Sequence, residues 1–347
     1  MKPSILYFCV NDGSDMRTYK EVVTLSKSYD VIFLGVGVCS SESFCKPHCA
    51  KFTLVEGPIR SPFTIIKLIF SLAYFRVRYR PISIHVQEEQ LLIAAFPALL
   101  FSHSVLDIFD SIFLKMNFPG ERLSILKRIL YCLPKKIIVT DEARYSLLPK
   151  HAQKKAEIIP NVPFFCENIS TLKKNNSKKI RLGLFGSIQE KRGALFVKQL
   201  LDYSSDYECI AAGWLADDFS KRFASSDKVR YLGVLNQERA LKRISEDVDF
   251  IVSIYPLTNL NNVYASPNKL YDAIHTKTPL IINSGVIVSG KVKELGIGVI
   301  VPDDAADISQ VDRMLRCSDF QGVFSRKLAE DNSWNQFEDL LISLHAR

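Results

Sequence analysis

The chain has 347 residues, of which 47% are hydrophobic and 24% are charged, a composition that excludes an intrinsically disordered protein. Its length exceeds that of a typical single domain, so we expect two domains of similar size. The net charge of +8 favours anionic partners, but the sequence contains no nucleic-acid-binding motif, which argues against a nucleic-acid partner.

The apolar segments and the cysteines of the sequence indicate in which cellular compartment the protein works. The first apolar run, residues 5–10, is too short for the hydrophobic region of a signal peptide. The longest one, residues 63–75, contains Lys67 and falls short of the roughly 20 apolar residues of a membrane span. Eight cysteines in a chain without an export signal are expected to stay reduced. The sequence therefore predicts a cytoplasmic protein without a transmembrane helix.

Short β-branched segments alternate with longer amphipathic ones through the first half of the chain. The predicted strands are residues 5–10, 31–36, 51–55, 82–86, 104–109 and 136–140. This alternation is typical of a parallel sheet with crossover helices. It predicts an N-terminal Rossmann-like domain over residues 1–165, which a polar, lysine-rich linker at residues 166–179 follows.

The same alternation returns after the linker. The predicted strands are residues 180–186, 208–213, 229–233, 249–255, 279–283 and 298–302. They predict a second Rossmann-like domain over residues 180–325, followed by a C-terminal helix within residues 326–347 whose apolar side chains share one face. Two doubly wound domains would place the carboxyl ends of both sheets around one interdomain cleft, where ligands of open α/β sheets bind.

A glycine-containing turn follows the first strand of the second domain, in the sequence LFGSIQEKRG at residues 184–193. Gly186 and Ser187 would let backbone amides approach a phosphate at the start of the next helix. Lys191 and Arg192 would add charged hydrogen bonds to a diphosphate. The alternative is an ordinary strand-to-helix turn with solvated basic side chains.

A second anion site is predicted in the segment NNVYASPNKLYDAI at residues 261–274. Ser266 is expected to cap a helix that begins at the following proline, which would leave free backbone amides. In that helix Lys269 can reach a phosphate beside Asn268, while Asp272, one turn later, can accept hydrogen bonds from ribose hydroxyls. The alternative is a capped helix with a charged outer face.

Together with the intervening sequence YLGVLNQERALKRISEDVDFIVSIYP, these two motifs resemble the C-terminal domain of GT-B-fold glycosyltransferases related to family four, of the bacterial surface-polysaccharide type. The resemblance implies two doubly wound Rossmann-like domains that face a cleft, with a C-terminal helix that docks back. It places Asp272 where the family has an acidic ribose ligand and Arg192 where the family has a basic phosphate ligand. It implies transfer of a sugar from a nucleotide-diphosphate sugar to a glycan or lipid-linked glycan acceptor.

The resemblance extends more weakly through the N-terminal domain. Residues 11–19, NDGSDMRTY, are similar to the family's first loop and place Asp12 and Arg17 on the acceptor side. Residues 106–111, LDIFDS, are similar to the acidic end of a central strand in the family. The resemblance thus covers nearly the whole chain.

Two positions depart from the family pattern. Tyr264 stands where the family has the first of two acidic residues, so contact with the transferred sugar is left to the backbone or to another residue. Phe109 stands where the family often has a histidine, and Asp110 and Glu88 are the candidates to replace it in catalysis. These departures leave open the alternative that the protein is catalytically degenerate and binds a nucleotide sugar without transferring it.

The sequence offers fixed positive charge rather than a metal to a diphosphate leaving group. Asp247 and Asp249 imitate a metal-binding acidic pair but directly precede a buried strand, and the spacing of Cys45, His48 and Cys49 lacks a second ligand pair. We therefore predict no metal and no other cofactor, and the resemblance implies retention of anomeric configuration. The second candidate is a nucleotide-sugar epimerase of the same fold, although the sequence shows no clear acid–base pair for it.

The segment of residues 63–80 joins an apolar helical face to a basic end formed by Arg76, Arg78 and Arg80. Such a helix can lie on an anionic membrane surface, which would place the enzyme peripherally at the inner face of the plasma membrane. The alternative is a helix of the domain core with a solvated basic end. The two interpretations are compatible if one face of the helix is buried while the arginines face lipid headgroups. The apolar residues of this predicted face are Ile65, Ile66, Leu68, Ile69, Leu72 and Phe75.

Overall fold

The computed structural model describes residues 2–40, 43–59, 61–100, 102–116, 124–170, 177–303 and 307–346. The chain divides into two compact units. Unit 1 comprises Met1–Asn161 and Phe337–Arg347, and unit 2 comprises Val162–Gln336. The C-terminal residues therefore belong to the same unit as the N-terminal ones.

Unit 1 is built on a seven-stranded sheet. Its strands are β1 (Ser4–Phe8), β2 (Asp30–Val36), β3 (Lys51–Val55), β4 (Ser83–Gln87), β5 (His103–Ile108), β6 (Lys136–Val139) and β7 (Ala156–Ile158). They lie in the order β3-β2-β1-β4-β5-β6-β7, and neighbouring strands run parallel. The central strands β1, β4 and β5 are buried along almost their whole length because helices cover both faces of such a sheet.

The helices of unit 1 connect these strands. They are α1 (Met16–Ser26), α2 (Pro62–Tyr79), α3 (Leu92–Leu99), α4 (Ile112–Lys115), α5 (Ser124–Cys132), α6 (Glu142–Ser146) and α7 (Lys150–Gln153). The carboxylate of Asp15 accepts hydrogen bonds from the amides of Arg17 and Thr18 at the start of α1, which stabilises the helix N-terminus. Apolar side chains of α2, α3 and α5 pack with the sheet into one hydrophobic core.

Unit 2 is built on a six-stranded sheet. Its strands are β8 (Ile180–Ile188), β9 (Tyr207–Leu215), β10 (Val229–Tyr231), β11 (Phe250–Ser253), β12 (Leu280–Asn283) and β13 (Gly298–Val301). They lie in the order β10-β9-β8-β11-β12-β13, again with parallel neighbours. This is the same order as that of the first six strands of unit 1.

The remaining helices follow in chain order. They are α8 (Glu167–Ser170), α9 (Leu195–Tyr203), α10 (Asp218–Ala224), α11 (Gln237–Asp247), α12 (Leu260–Val263), α13 (Asn268–Thr276), α14 (Ser289–Leu295), α15 (Ile308–Cys317), α16 (Arg326–Asp331) and α17 (Glu338–Leu344). Helix α17 packs on α1 within unit 1, where Lys27 Nζ lies 2.6 Å from Glu338 Oε2 and Tyr29 donates a hydrogen bond to the carbonyl of Ile342.

The two parallel sheets confirm the predicted α/β class. Every predicted strand has an observed counterpart with slightly different ends, whereas β7 was not predicted because its three residues are only half-buried. Part of the segment predicted as a linker forms the short helix α8. Among the described residues, no helix is long and apolar enough to cross a membrane.

The C-terminal segment is not the single helix that its apolar spacing predicts. Helices α16 and α17 are separated by a 3₁₀ turn at Trp334–Gln336. The amide of Trp334 donates to the carbonyl of Pro163 rather than to a helical neighbour, and the Trp334 side chain is fully buried. Burial of this indole in unit 2 therefore interrupts the helix before α17 joins unit 1.

Candidate functional site

The strand order of unit 2 reverses between β8 and β11. From β8 the chain proceeds to β9 and β10 on one side, and from β11 it proceeds to β12 and β13 on the other. Ligands of open α/β sheets bind outside the carboxyl ends of the strands at such a reversal. The segments that follow β8 and β11 therefore form the candidate anion site of this unit.

The two predicted anion motifs meet at this reversal. Gly186, near the end of β8, has a φ of +96°, and the position that a Cβ would occupy there lies 3.8 Å from Lys269 Nζ. Lys269 is half-buried in the first turn of α13, the helix that follows β11 through α12. An ammonium group beside open glycine backbone can hold a phosphate through charge and short hydrogen bonds.

The turn after β8 carries the second basic group. Residues Glu190–Ala194 form an irregular turn with non-helical backbone angles at Arg192 and Gly193. Glycine is suited to position 193 because its φ is +101° and a Cβ there would lie 3.0 Å from Leu184 Cδ1. The half-buried Arg192 guanidinium lies over the ring of Tyr255, 4.8 Å from its centroid, a cation–π contact. Lys191 is exposed to solvent in the same turn.

Polar side chains that the sequence analysis missed fix the loop after β11. The amide of Tyr255 donates to Asn283 Oδ1 at 2.9 Å, and Asn283 Nδ2 donates to the carbonyl of Tyr255 at 3.0 Å. Asn283 Nδ2 also donates to Asp303 Oδ1 at 3.0 Å. These bonds hold Tyr255 beneath Arg192. The sequence signal for them is a polar residue at the end of β12 and another two residues after β13.

The start of α13 differs from its prediction. The helix begins at Asn268, its N-cap residue is Pro267, and no side chain caps it, so the prediction that Ser266 caps this helix is wrong. Ser266 lies one residue outside the cap because Pro267 already has extended backbone angles, and the carbonyl of Pro267 accepts a hydrogen bond from Leu270. Asn268 is exposed and Asp272 is half-buried one turn later.

Ser187 is half-buried at the end of β8, where its hydroxyl accepts a hydrogen bond from Gln189 Nε2 at 3.0 Å. The turn itself is held from the neighbouring helix, because the amide of Glu190 donates to Asp217 Oδ2 at 2.8 Å. Asp217 also caps α10. The strand-to-helix turn is thus fixed by side chains on both sides of it.

Unit 1 has the same reversal between β1 and β4. Lys115 pairs with Asp110 there, and the other polar side chains described next are acidic or neutral. The loop after β1 contains half-buried Asp12, whose Oδ1 accepts hydrogen bonds from the amide and the hydroxyl of Ser14. Asn11 Nδ2 in the same loop donates to Gln87 Oε1 at the end of β4. The loop is therefore tied directly to the neighbouring strand.

The two catalytic candidates, Glu88 and Asp110, lie together at the ends of β4 and β5. Glu88 has left-handed backbone, with a φ of 73° and a ψ of 143°, which costs free energy for a residue with a Cβ. Its Oε1 accepts a hydrogen bond from the amide of Asp110 at 3.0 Å. Burial, with the nearby charges of Asp110 and Glu89, raises the pKa of Glu88 well above its ordinary value.

Asp110 is the accessible member of this pair. Its side chain is 43% exposed, and its Oδ2 lies 2.9 Å from Lys115 Nζ. Glu88 is buried beneath it and contacts its backbone. This arrangement suits Asp110 to direct contact with a substrate and Glu88 to positioning Asp110.

Arg17 does not lie where the sequence analysis placed it. Its side chain is fully buried, and its Nε and Nη2 each donate to a different oxygen of Asp107 at 2.7 Å. Its Nη1 donates to the carbonyl of Ile159. Residue 17 falls on the inward face of α1, so its guanidinium is buried and links α1 to β5 and to the backbone that follows β7.

One group of described residues has the spacing of a metal site: ligand atoms of Glu21, His85 and Asp107 lie within 4.8 Å of one another, all buried. Arg17 already supplies a positive charge there, with its Nε 3.1 Å from Glu21 Oε1 and 2.7 Å from Asp107 Oδ2. Burial acts to raise the pKa of Glu21, but Arg17 and His85 outweigh it and lower the pKa to about 2. The cluster is an internal ion-pair network.

The other predicted acidic pair is neutralised by arginines. Asp249 Oδ1 lies 3.1 Å from Arg181 Nη2, and Asp247 Oδ2 lies 3.3 Å from Arg243 Nη1. Because each carboxylate faces a different arginine, the two do not converge on one position that a metal ion would occupy.

Comparison with solved structures identifies the fold. The chain is similar to sucrose-phosphate synthase from Thermosynechococcus elongatus, with a TM-score of 0.73, 12% identity and coverage of 99% of this chain and 98% of that one. It is similar to HepE from Anabaena in complex with UDP and glucose, with a TM-score of 0.66, 11% identity and coverage of 99% and 97%. A putative UDP-N-acetylglucosamine 2-epimerase from Listeria monocytogenes matches with a TM-score of 0.62, 9% identity and coverage of 97% and 94%.

These similarities extend over almost the whole chain and, with two parallel sheets of seven and six strands, establish the GT-B fold. The predicted fold is confirmed. No protein-family model matches the chain, and no curated protein sequence matches it.

Proposed function

We propose that this protein is a glycosyltransferase whose unit 2 binds a nucleotide-diphosphate sugar. The observation that carries the proposal is the position of Lys269 Nζ beside Gly186 at the strand reversal of unit 2, with Arg192 held over Tyr255 after the same strand. Two cationic groups and open backbone suit a diphosphate. The solved structure of HepE, which is similar over its full length, contains UDP and glucose.

The same groups supply the chemistry of the leaving group. When the bond between the sugar and the phosphate breaks, negative charge grows on the nucleoside diphosphate, and a fixed positive charge lowers the energy of that transition state. Lys269 and Arg192 would carry this role, assisted by exposed Lys191 and by amides near Gly186 and Ser187. We propose a transfer that needs neither metal nor another cofactor.

Asp272 lies one turn after Lys269 on α13 and is half-buried. A carboxylate accepts hydrogen bonds from both hydroxyls of a ribose. Asp272 is therefore proposed as the ribose ligand. Asn268 is exposed at the first position of the helix, and Ser266 precedes it; both are proposed to contact the phosphates.

Unit 1 is proposed to hold the acceptor. Asp110 is accessible and can receive the proton of an acceptor hydroxyl, while Glu88 holds the backbone of Asp110 through a hydrogen bond. Asp12, in the loop after β1, is a second polar contact for the acceptor. By resemblance the acceptor is a glycan or a lipid-linked glycan and transfer retains anomeric configuration. The cysteine content of the sequence supports a cytoplasmic location for this activity.

Nucleotide binding tests this proposal first. A ligand that binds the folded state raises the melting temperature according to its concentration and Kd, so UDP, GDP, ADP and CMP can be ranked in one thermal-shift panel. One nucleoside diphosphate should stabilise the parent protein, and Lys269→Ala should abolish most of the shift. If no nucleotide stabilises the parent protein, the donor site is wrong.

An epimerase is the second candidate, because a putative UDP-N-acetylglucosamine 2-epimerase has the same fold. The two reactions differ in their products. Incubation with the nucleotide sugar that binds best should release free nucleoside diphosphate when an acceptor is added, which a glycosyltransferase predicts. Conversion into a second nucleotide sugar without an acceptor would favour the epimerase, and binding without either product would favour a degenerate binding protein.

A further inference from the structure

Three helices of unit 1, α2, α3 and α5, cover the same side of its sheet. Their inward side chains belong to one hydrophobic core, to which α2 contributes Leu68, Leu72 and Phe75, and α5 contributes Tyr131. In addition, Arg76 Nη1 on α2 donates to the carbonyl of Pro97 in α3. Helices α2 and α3 are thus in direct contact, and α5 covers the same core beside them; we call the outward side of these three helices the helical face.

The helical face is also apolar. On α2, Phe63, Phe70 and Val77 are 78%, 71% and 77% exposed, and their spacing of seven residues places them on one stripe of the helix. Ile66 and Tyr74 are exposed between them. Helix α2 thus has two apolar sides, one in the core and one toward solvent.

The neighbouring helices extend this surface. On α5, Ile125 is 70% exposed and Ile129 is 57% exposed, one turn apart. Phe96 and Leu100, at the end of α3, are also exposed. Monomeric soluble proteins rarely expose contiguous apolar surface over several elements unless it binds something, because contact of apolar surface with water costs free energy.

This outward stripe differs from the one that the sequence analysis proposed. Leu68, Leu72 and Phe75, which belong to the predicted apolar face, are buried in the core, as the alternative of a core helix expects. The exposed stripe begins with Phe63 and includes Val77, which periodicity alone does not separate from the inward residues because apolar side chains occupy both sides of α2. The structure is needed to tell the two stripes apart.

Charge indicates what binds there. The sequences of α2, α3 and α5 contain no aspartate or glutamate, whereas Lys67, Arg78 and Arg128 are basic and exposed, and Arg80, also exposed, ends α2. A second copy of the chain on this face would bring like charges together, which is unfavourable. A lipid surface with anionic headgroups matches both the apolar stripe and the basic residues.

We propose that the helical face docks on an anionic lipid bilayer and inserts its exposed side chains at the boundary between headgroups and acyl chains. Phe63, Phe70 and Val77 enter this boundary from α2, and Ile125 and Ile129 enter it from α5. The exposed basic residues contact the headgroups. Docking depends on insertion as well as on charge, so it resists salt better than binding by the basic residues alone.

Vesicle flotation tests the proposal. We expect the parent protein to float with vesicles that contain about 30% anionic lipid and to bind neutral vesicles much more weakly. The variant Phe63→Ser/Phe70→Ser/Val77→Ser should lower the partition coefficient about a hundredfold, since each removed side chain contributes roughly tenfold or less. The matched control is Tyr203→Ser/Val234→Ser/Ile287→Ser, which replaces exposed apolar side chains of unit 2 and should float like the parent. Melting temperatures verify that both variants fold.

A fluorescence measurement reports insertion directly. Both natural tryptophans, Trp214 and Trp334, lie in unit 2, so Phe70→Trp adds a probe to the helical face. Anionic vesicles should shift its emission to the blue, and about 1 M salt should reduce the shift without abolishing it, because salt screens the headgroup charges but not the insertion of apolar side chains. The proposal is overturned if the parent does not float, if the α2 variant floats equally well, or if the probe does not respond. If the parent protein binds neutral and anionic vesicles equally well, the assignment to anionic lipid is wrong. If the protein does not float but forms a dimer that the α2 variant abolishes, the helical face binds a second copy of the chain.

Discussion

Units 1 and 2 share a strand order at their centres, yet the side chains at their two strand reversals differ in charge. In unit 2 the reversal presents Lys269 and Arg192 around an open glycine. In unit 1 it presents Asp12 and the pair of Glu88 and Asp110. One sheet topology thus positions opposite charges, to which the proposed function assigns opposite roles: the cations would bind a diphosphate, and the carboxylate would accept a hydroxyl proton. The predictions below test that division of roles.

The largest effect is expected at Asp110. Replacement by asparagine removes the accessible carboxylate, and loss of a proton-accepting group lowers kcat about 100-fold or more. Binding of the nucleoside diphosphate should not change, because Asp110 lies in unit 1. Steady-state kinetics and calorimetry measure the two quantities, and Asp30→Asn, at the amino end of β2, is the control. Unchanged kcat in Asp110→Asn would remove the catalytic role.

Glu88 should behave as a positioning residue. Glu88→Gln keeps an oxygen that can accept the hydrogen bond from the amide of Asp110 and should retain most of kcat, whereas Glu88→Ala removes that oxygen and should lose about tenfold or more. If Glu88→Gln loses as much as Asp110→Asn, Glu88 exchanges protons itself. A pH profile that changes in Glu88→Gln would identify that case.

The next largest effect is expected for the two cations of unit 2. Lys269→Ala and Arg192→Ala should each weaken binding of the nucleoside diphosphate by roughly 1.5 to 3 kcal/mol, because each removes a charged hydrogen-bond donor. The nucleoside alone should bind as before. Lys198→Ala removes an exposed lysine of α9 that pairs with Asp202 and serves as the control. Parental affinity in both variants, measured by calorimetry, would show that the diphosphate binds elsewhere.

Particular residues show which parts of the fold and of the candidate site can be predicted from the sequence. The alternation of strands and helices predicts both sheets, and glycine with basic residues predicts the turn that carries Arg192. The sequence does not show that Arg17 is turned inward to Asp107, because a motif places a residue in a segment but not on a side of its helix. It also does not show that Asn283 supports Tyr255, since this contact joins residues far apart in the chain.

A smaller effect is expected at Asp272. Asp272→Asn should weaken binding of the nucleoside diphosphate by about 1 kcal/mol, because an amide accepts hydrogen bonds from ribose less strongly than a carboxylate. Binding of inorganic pyrophosphate, which has no ribose, should stay the same. A lower melting temperature with unchanged nucleotide affinity would instead indicate that Asp272 only stabilises α13.

The buried network of unit 1 should make this unit sensitive to acid. Burial, together with the charges of His85 and His103, lowers the pKa of His345 well below its ordinary value, and His345 contacts Ser83 and His85, while the carboxylate of Glu21 faces His85. The unfolded state then takes up the proton first. The stabilisation is therefore complete above about pH 6.5 and decreases as the pH falls below it, by at most about 1.4 kcal/mol per pH unit for this one group.

His345→Gln should therefore reduce the difference in melting temperature between about pH 7.5 and pH 5, because it removes one of the groups that titrate. Calorimetry at both pH values measures the difference. An equal pH dependence in parent and variant would mean that the acid sensitivity arises elsewhere.

The smallest effect is expected from removal of metal ions. Excess EDTA should leave sugar transfer unchanged, because Lys269 and Arg192 supply the positive charge that a bound metal gives to a diphosphate in other enzymes. The carboxylates that imitate a metal pair are occupied, since Asp249 pairs with Arg181 and Asp247 pairs with Arg243. The measurement is transfer in EDTA, followed by addition of magnesium or manganese.

If EDTA abolished transfer and either ion restored it, departure of the leaving group would depend on a metal. The basic residues of unit 2 would then have the lesser role of binding the ground state of the donor. Combining EDTA with Lys269→Ala separates the cases further: a metal-independent enzyme should show the same loss from the substitution with and without the chelator.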